Sequence, residues 1–373
     1  MAMNDLKWSE YDFTKIPFDD IVQFGQRSML HRDTFTVSWL LGRFCNYRCS
    51  YCWPYARSDR KDFRPLDVCI NTIDSIKEQA RERGFNSFHF SLSGGEPTFH
   101  PEYLEIVKYL NDDAKNCNYH SLHMTSNCSR PIEWFKEYYE ASKDMHRVSV
   151  TASYHREHVK SIEEFADKLE FMQEHGIQVT VNMVMLPNLF EEHYEDALYF
   201  HERNINVTLK PQSDPTASFV VDGYTKDMMD RLHNGMPQRN FTDIKTKVKR
   251  PKRSLNALAK ESNESIPAHY QIEFTDKNGK LWYMDQAERF NAFNFNNFNG
   301  WECSSGYRSI IIREPDGTVK RSYSCHDVPI GHVETGFKLY DGPKLCTTNG
   351  CVSSADSKIP KRKIGWKIPL WNT

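Results

Sequence analysis

The sequence predicts an α/β fold: a partial, TIM-like (β/α)6 barrel followed by a C-terminal module of β-hairpins and loops. Two observations carry that expectation. Between about residue 34 and residue 212, short β-branched runs alternate six times with longer amphipathic segments, the pattern of a parallel sheet covered by helices. After Pro211 the alternation stops, and polar stretches and hairpin signals replace it. Right-handed strand-helix units of this number curl into an open barrel whose strand C-termini face one site.

The elements read in order as follows. Residues 1–33 form an N-terminal extension that mixes acids, bases and aromatics without the apolar segment of a signal peptide. The barrel core is expected over 34–215, with strands at Thr34 to Gly42, Ser87 to Ser93, His120 to Ser126, Arg147 to Ser153, Ile177 to Leu186 and Ile205 to Lys210. Leu66, Cys69, Ile70, Ile73, Ile76 and Ala80 recur at three and four, which predicts a helix ending near Gly84. Ile162, Phe165, Ala166, Leu169 and Met172 repeat the pattern up to Gly176. Residues 216–300 read as a connecting region, containing a basic run from Lys245 to Arg253 and a hairpin, Gln271 to Thr275 with Lys280 to Asp285, around Lys277-Asn278-Gly279. The Asn- and Phe-rich stretch Phe290 to Trp301 reads as an irregular loop pinned to the core by its aromatics. Residues 301–373 form the last module, with a second hairpin, Ser309 to Glu314 and Thr318 to Ser324, around Pro315-Asp316-Gly317.

Composition excludes some classes of function. Apolar residues at 39% and aromatics at 13% suit a packed interior and not a disordered chain. Lys plus Arg number 48 against 50 Asp plus Glu, so no overall field draws in nucleic acid or an anionic membrane, and the basic run reads first as a solvated linker. With no run of eighteen apolar residues, no membrane span is expected and a cytoplasmic location is. In that reducing compartment the ten cysteines read as metal ligands before disulfides.

Cys45, Cys49 and Cys52 lie just past the first strand, spaced Cys-x3-Cys-x2-Cys. Three thiolates on one short loop can wrap a [4Fe-4S] cluster and leave its fourth iron open. Structural zinc is the alternative and needs a fourth ligand from a distance. Redox disulfide chemistry is another, with the third thiol surplus. Gly94-Gly95-Glu96-Pro97 follows the second strand, where glycines allow close backbone approach and a sharp turn.

Together these motifs resemble the radical S-adenosylmethionine (SAM) superfamily, including the aromatic residue, Tyr51, directly before the last cysteine. The resemblance implies that Cys45, Cys49 and Cys52 hold a [4Fe-4S] cluster. It also implies that the backbone of Gly94, Gly95, Glu96 and Pro97 binds the methionyl amino group of SAM. One electron from the reduced cluster then splits SAM, and the 5'-deoxyadenosyl radical abstracts a hydrogen atom from substrate. An external donor such as flavodoxin or ferredoxin is implied as well. By the same resemblance Ser126 and Asn127 after the third strand, Ser153 after the fourth and Asn182 on the fifth are candidate SAM contacts, although each equally suits a cap or a local backbone bond. His155 and Lys210 are weaker candidates, toward substrate.

Cys303, Cys325, Cys346 and Cys351 form a second set. It resembles the twitch or SPASM-like auxiliary-cluster module, which implies a second [4Fe-4S] cluster that accepts an electron and favours net oxidation. Seven residues separate Gly317 from Cys325 where four are usual in that module, which puts the subgroup in doubt. Zinc held by four thiolates is the alternative. Two substrate classes follow: a small polar metabolite, such as a sugar, aminocyclitol or nucleotide derivative, or a ribosomally made precursor peptide that is crosslinked, epimerised or cleaved. RNA modification, resting on the basic run, and a zinc-knuckle interaction module are further alternatives.

Overall fold

The computed structural model describes residues 16–216, 219–237, 272–284, 296–325, 328–351 and 353–366. The basic run Lys245 to Arg253 and the first half of the Asn- and Phe-rich stretch lie outside the described residues. The chain opens with β1 (Ile21–Gln26) and a single turn, α1 (Arg27–Leu30). The strand-helix units follow as β2 (Thr34–Leu40), α2 (Leu66–Glu82), β3 (Ser87–Ser93), α3 (Tyr103–Asp112), β4 (Tyr119–Ser126) and α4 (Ile132–Ser142). They continue as β5 (Arg147–Tyr154), α5 (Ile162–Glu174), β6 (Gln178–Met185), α6 (Phe190–Glu202) and β7 (Asn206–Pro211). After them come α7 (Lys226–Asn234), β8 (Ile272–Asp276), β9 (Leu281–Met284), β10 (Glu302–Cys303), β11 (Ser309–Arg313) and β12 (Thr318–Lys320). The last elements are β13 (Gly331–His332), β14 (Gly336–Phe337), β15 (Lys344–Leu345), α8 (Ser354–Ser357) and β16 (Lys361–Arg362).

Strands β2 to β7 pair in parallel and in sequence order, each strand with the next. This is the expected partial barrel, and it stays open. Beyond β2 the sheet continues through β11, which is parallel to β2, and then antiparallel through β12, β13 and β14. Its two ends, β14 and β7, do not pair with each other. The hairpin of β11 and β12 therefore extends the barrel sheet, a pairing that no local sequence signal announces. A second sheet, ordered β15-β10-β16-β1-β8-β9, joins the start of the chain to its end.

Alternation along each strand divides the barrel sheet into two chemically different faces. Phe35, Val37, Trp39, Phe88, Phe90, Leu92, Leu122, Met124, Val150, Val181 and Met183 are buried against the helices. The opposite face carries Thr36, Ser38, His89, Ser91, Ser93, His123, Thr125, Ser149, Thr151, Ser153, Thr180, Asn182 and Thr208, all half-buried. Closed barrels fill that face with branched apolar side chains; here it is mostly polar, with Leu40 and Val184 as apolar exceptions. Among the described residues, no helix is long and apolar enough to cross a membrane.

Candidate active site

The cysteine loop leaves β2 at Leu41 and is held in place by backbone contacts. Gly95 donates its N–H to the Gly42 carbonyl at 2.9 Å, and Glu96 donates to Phe44 O at 2.6 Å. This contact explains the glycines. A Cβ on Gly95 would meet Arg43 O and Phe44 O at 2.3 Å, and one on Gly94, whose φ is +144°, would meet Gly42 O at 2.3 Å. The close approach is thus to the cysteine loop itself, so the turn after β3 fixes the backbone that leads into Cys45.

Glu96 is 1% exposed and organises the next strand end. Its carboxylate accepts from Thr98 Oγ1 at 2.7 Å, Ser126 Oγ at 2.8 Å and the backbone N–H of Asn127 at 2.6 Å. Burial raises its pKa, and those donors act against the rise. Asn127 in turn donates from Nδ2 to Asn46 Oδ1 at 2.9 Å, with Cys45 Sγ 3.9 Å away. Ser126 and Asn127 therefore connect the double-glycine turn to the cysteine loop.

The segment after β5 grips the same loop from the other side. Tyr51 and His155 share a hydrogen bond of 2.7 Å from the phenol oxygen to Nδ1. Ser50 donates its N–H to Glu157 at 2.7 Å, Arg48 donates to His158 Nε2 at 3.3 Å, and Tyr47 stacks on the His158 ring at 4.6 Å. Burial lowers the His155 pKa to about 4, so its imidazole is neutral near pH 7. Sequence reasoning named His155 toward substrate and did not single out Glu157 or His158. Their signal was their place, since three chemistry-bearing residues directly follow a barrel strand. Trp53 spans the mouth, donating from Nε1 to Ser213 Oγ beyond β7 at 3.0 Å.

Burial raises the pKa of Cys45, Cys49 and Cys52, that of Cys49 to about 12, with Glu157 and neighbouring thiolates adding to the Cys49 rise. Three thiolates here call for cationic charge between them. The one described cluster of ligating atoms within 4.8 Å of one another is Cys49, Glu157 and His158, and the two acceptors in it already pin the loop. Ser153 and Asn182 stand opposite each other on β5 and β6, with Thr208 opposite Asn182 on β7. Lower on the polar face, His89 bonds Ser121 Oγ and His123 bonds Ser149 Oγ, each at 2.8 Å. Strands β2 to β7 carry no Asp or Glu. Tyr323, from the C-terminal part, reaches Ser38 Oγ at 3.2 Å.

The second cysteine set gathers at the other sheet. Cys303 lies on β10 opposite Lys344 and Lys361, and Cys346 exchanges backbone bonds with the segment from Gly300 to Trp301 at 2.9 and 2.7 Å. Cys303, Cys346 and Cys351 share an apolar cluster with Phe24, Phe298 and Trp301. Burial raises Cys346, and the negative charges of Cys303 and Cys325 raise it further. All four thiols of the set are buried.

Residues 39–200 match the family model described as Radical SAM superfamily. The chain is also similar to GTP 3',8-cyclases. That of Tolumonas auensis is 24% identical over 191 residues, which is 48% of this chain and 54% of that protein. That of Haemophilus influenzae is 26% identical over 165 residues, 41% and 46% of the two chains. That of Microcystis aeruginosa is 38% identical over 66 residues, 17% and 19%. The chain thus spans about half the length, or less, of the curated relatives it matches. Among solved structures it is similar to native anSMEcpe with bound AdoMet, at 14% identity and a TM-score of 0.49, over 81% of this chain and 78% of that one. The same protein with AdoMet and Kp18Cys peptide gives 14%, 0.49, 82% and 79%. The stretch similar to the Radical SAM superfamily begins in β2 and ends in α6, and it contains both the cysteine loop and the turn that holds it.

Proposed function

We propose that this chain is a radical SAM enzyme that removes hydrogen from a small polar metabolite, such as a sugar, aminocyclitol or nucleotide derivative, with net oxidation through a second cluster. The observation that carries the substrate class is the inner face of the barrel, made mostly of hydroxyls, amides and imidazoles, with the cations Arg147 and Lys210 at its edges and without a carboxylate on its six strands. Such a lining offers many donors and acceptors and little apolar area, which favours a hydroxyl-rich ligand. Burial pushes His123 down to about 3 and His89 well below its ordinary value, so both present neutral imidazoles. The similarity to proteins named GTP 3',8-cyclase is consistent with the nucleotide member of the class.

Cys45, Cys49 and Cys52 would hold a [4Fe-4S] cluster. Three thiolates on one short loop leave a fourth iron open, whereas zinc needs a fourth ligand from a distance, which favours the iron-sulfur cluster at this triad. When bound and reduced, the first cluster together with SAM supplies the 5'-deoxyadenosyl radical. In this reading Gly94, Gly95, Pro97, Tyr51, Ser153 and Asn182 line the SAM site, and Glu96 holds Ser126 and Asn127 at its rim. Trp53 and Tyr55, stacked at 5.9 Å, screen the mouth from water.

Deuterium transfer tests the proposal. Labelled sugars, aminocyclitols and nucleotides are incubated with reconstituted enzyme, SAM and a low-potential reductant such as flavodoxin, and 5'-deoxyadenosine is analysed by mass. Transfer from a member of these classes is expected. Transfer from an encoded peptide alone would replace this reading with peptide modification.

A further inference from the structure

A buried lysine accompanies the second set of thiols. Lys361 is 1% exposed and stands directly across the ladder from Cys303. Its ammonium donates to three backbone carbonyls, Asp356 O at 2.7 Å, Ile359 O at 3.0 Å and Ser357 O at 3.4 Å, and the Phe298 ring covers it at 4.9 Å. Among the described residues no carboxylate pairs with it: the buried Asp356 side chain accepts the Ser324 N–H at 2.7 Å instead. An ammonium taken out of water needs an anion. Burial works against its charge, and Cys351 and Cys303, with Asp356 and Cys346, work for it.

We propose that Lys361 is the fixed counter-charge of a [4Fe-4S] cluster on Cys303, Cys325, Cys346 and Cys351, and that it raises the reduction potential of that cluster. The inference rests on the reading of the quartet as a cluster site. Four thiolates around a doubly positive core leave a dianion, which becomes a trianion when one electron enters. A nearby buried cation favours the more negative form. Lys361 thereby biases the site toward taking one electron from the substrate radical, which is left oxidised as a proton departs. That electron later passes to an external one-electron acceptor protein.

The test is a mediated redox titration of the anaerobically reconstituted full chain, followed by electron paramagnetic resonance, with iron counted per chain. Lys361→Met is expected to keep about eight irons and to lower the potential of the second cluster by at least about 59 mV, a tenfold change for one electron. Lys361→Arg, which keeps the charge, is expected to stay near the parent value, and the first cluster serves as internal reference. Loss of about four irons in Lys361→Met but not in Lys361→Arg also supports a counter-charge. An unchanged potential in a fully loaded Lys361→Met overturns the inference, as does loss of those irons in both variants. A parent chain that holds about four irons fails at the earlier step, the cluster site itself.

Discussion

Glu96 accepts the backbone N–H of Asn127 at 2.6 Å, and through it the turn after β3 controls the end of β4. Because the same carboxylate also takes Thr98 and Ser126, Glu96→Ala leaves several buried donors without a partner. Each costs about 1–3 kcal/mol when orphaned, and partial hydration reduces the sum to about 3 kcal/mol. Chemical denaturation should register that loss, together with lower iron retention. Glu96→Gln, which keeps the shape and one acceptor, should lose less.

Gly95→Ala is expected to be worse for the cysteine loop than for the fold. A methyl group 2.3 Å from Arg43 O and Phe44 O must push the turn and the loop apart, while the helix-facing core stays packed. Iron content after reconstitution should fall by half, and SAM cleavage should drop at least about tenfold, with a near-parent circular dichroism spectrum. Normal iron and cleavage would show that the contact is dispensable.

Acid should weaken the fold through its buried histidines. His123 is pulled by burial to about 3, against 6.5 for an ordinary histidine, and His100 is lowered as well. The unfolded chain therefore takes up these protons first. The stability they contribute is fully present above pH 6.5 and is lost as pH falls toward 3. Urea midpoints of the reconstituted protein should decline from pH 7 to pH 4, and His123→Gln should decline less steeply. Equal slopes for parent and variant would contradict the assignment.

Cys346→Ala separates the two clusters. It should lower the iron count from about eight to about four per chain, spare the reductive cleavage of SAM and impair product formation. Full turnover in this variant would remove the electron-accepting role from the second site.

Much of the barrel was legible because its strands alternate cleanly and its helices repeat at three and four. The predicted strands from Ser87 and Arg147 start where the structure starts them, and the cysteine loop and double-glycine turn fall at adjacent strand ends. What escaped was non-local or weakly patterned. β1, Ile21–Gln26, lay hidden in the N-terminal extension because its partners, β8 and β16, lie about 250 and 340 residues further on. The hairpin at Ser309 was visible, but its parallel partner, β2, was not. Helix α7 is short and has no fully buried residue, so its brief apolar stripe, Met228 and Leu232, and its Thr225 cap were too little to mark it. At the site, the ligating cysteines announced themselves by spacing. Asn46, Glu157, His158 and Lys361 matter through contacts that spacing does not encode.

The most direct measurement is 5'-deoxyadenosine formed from SAM by the anaerobically reconstituted, reduced chain, compared with a variant in which Cys45, Cys49 and Cys52 are all Ala. The account predicts cleavage by the parent and none above background in the variant. Equal cleavage by both, or none by an iron-loaded parent, would contradict it.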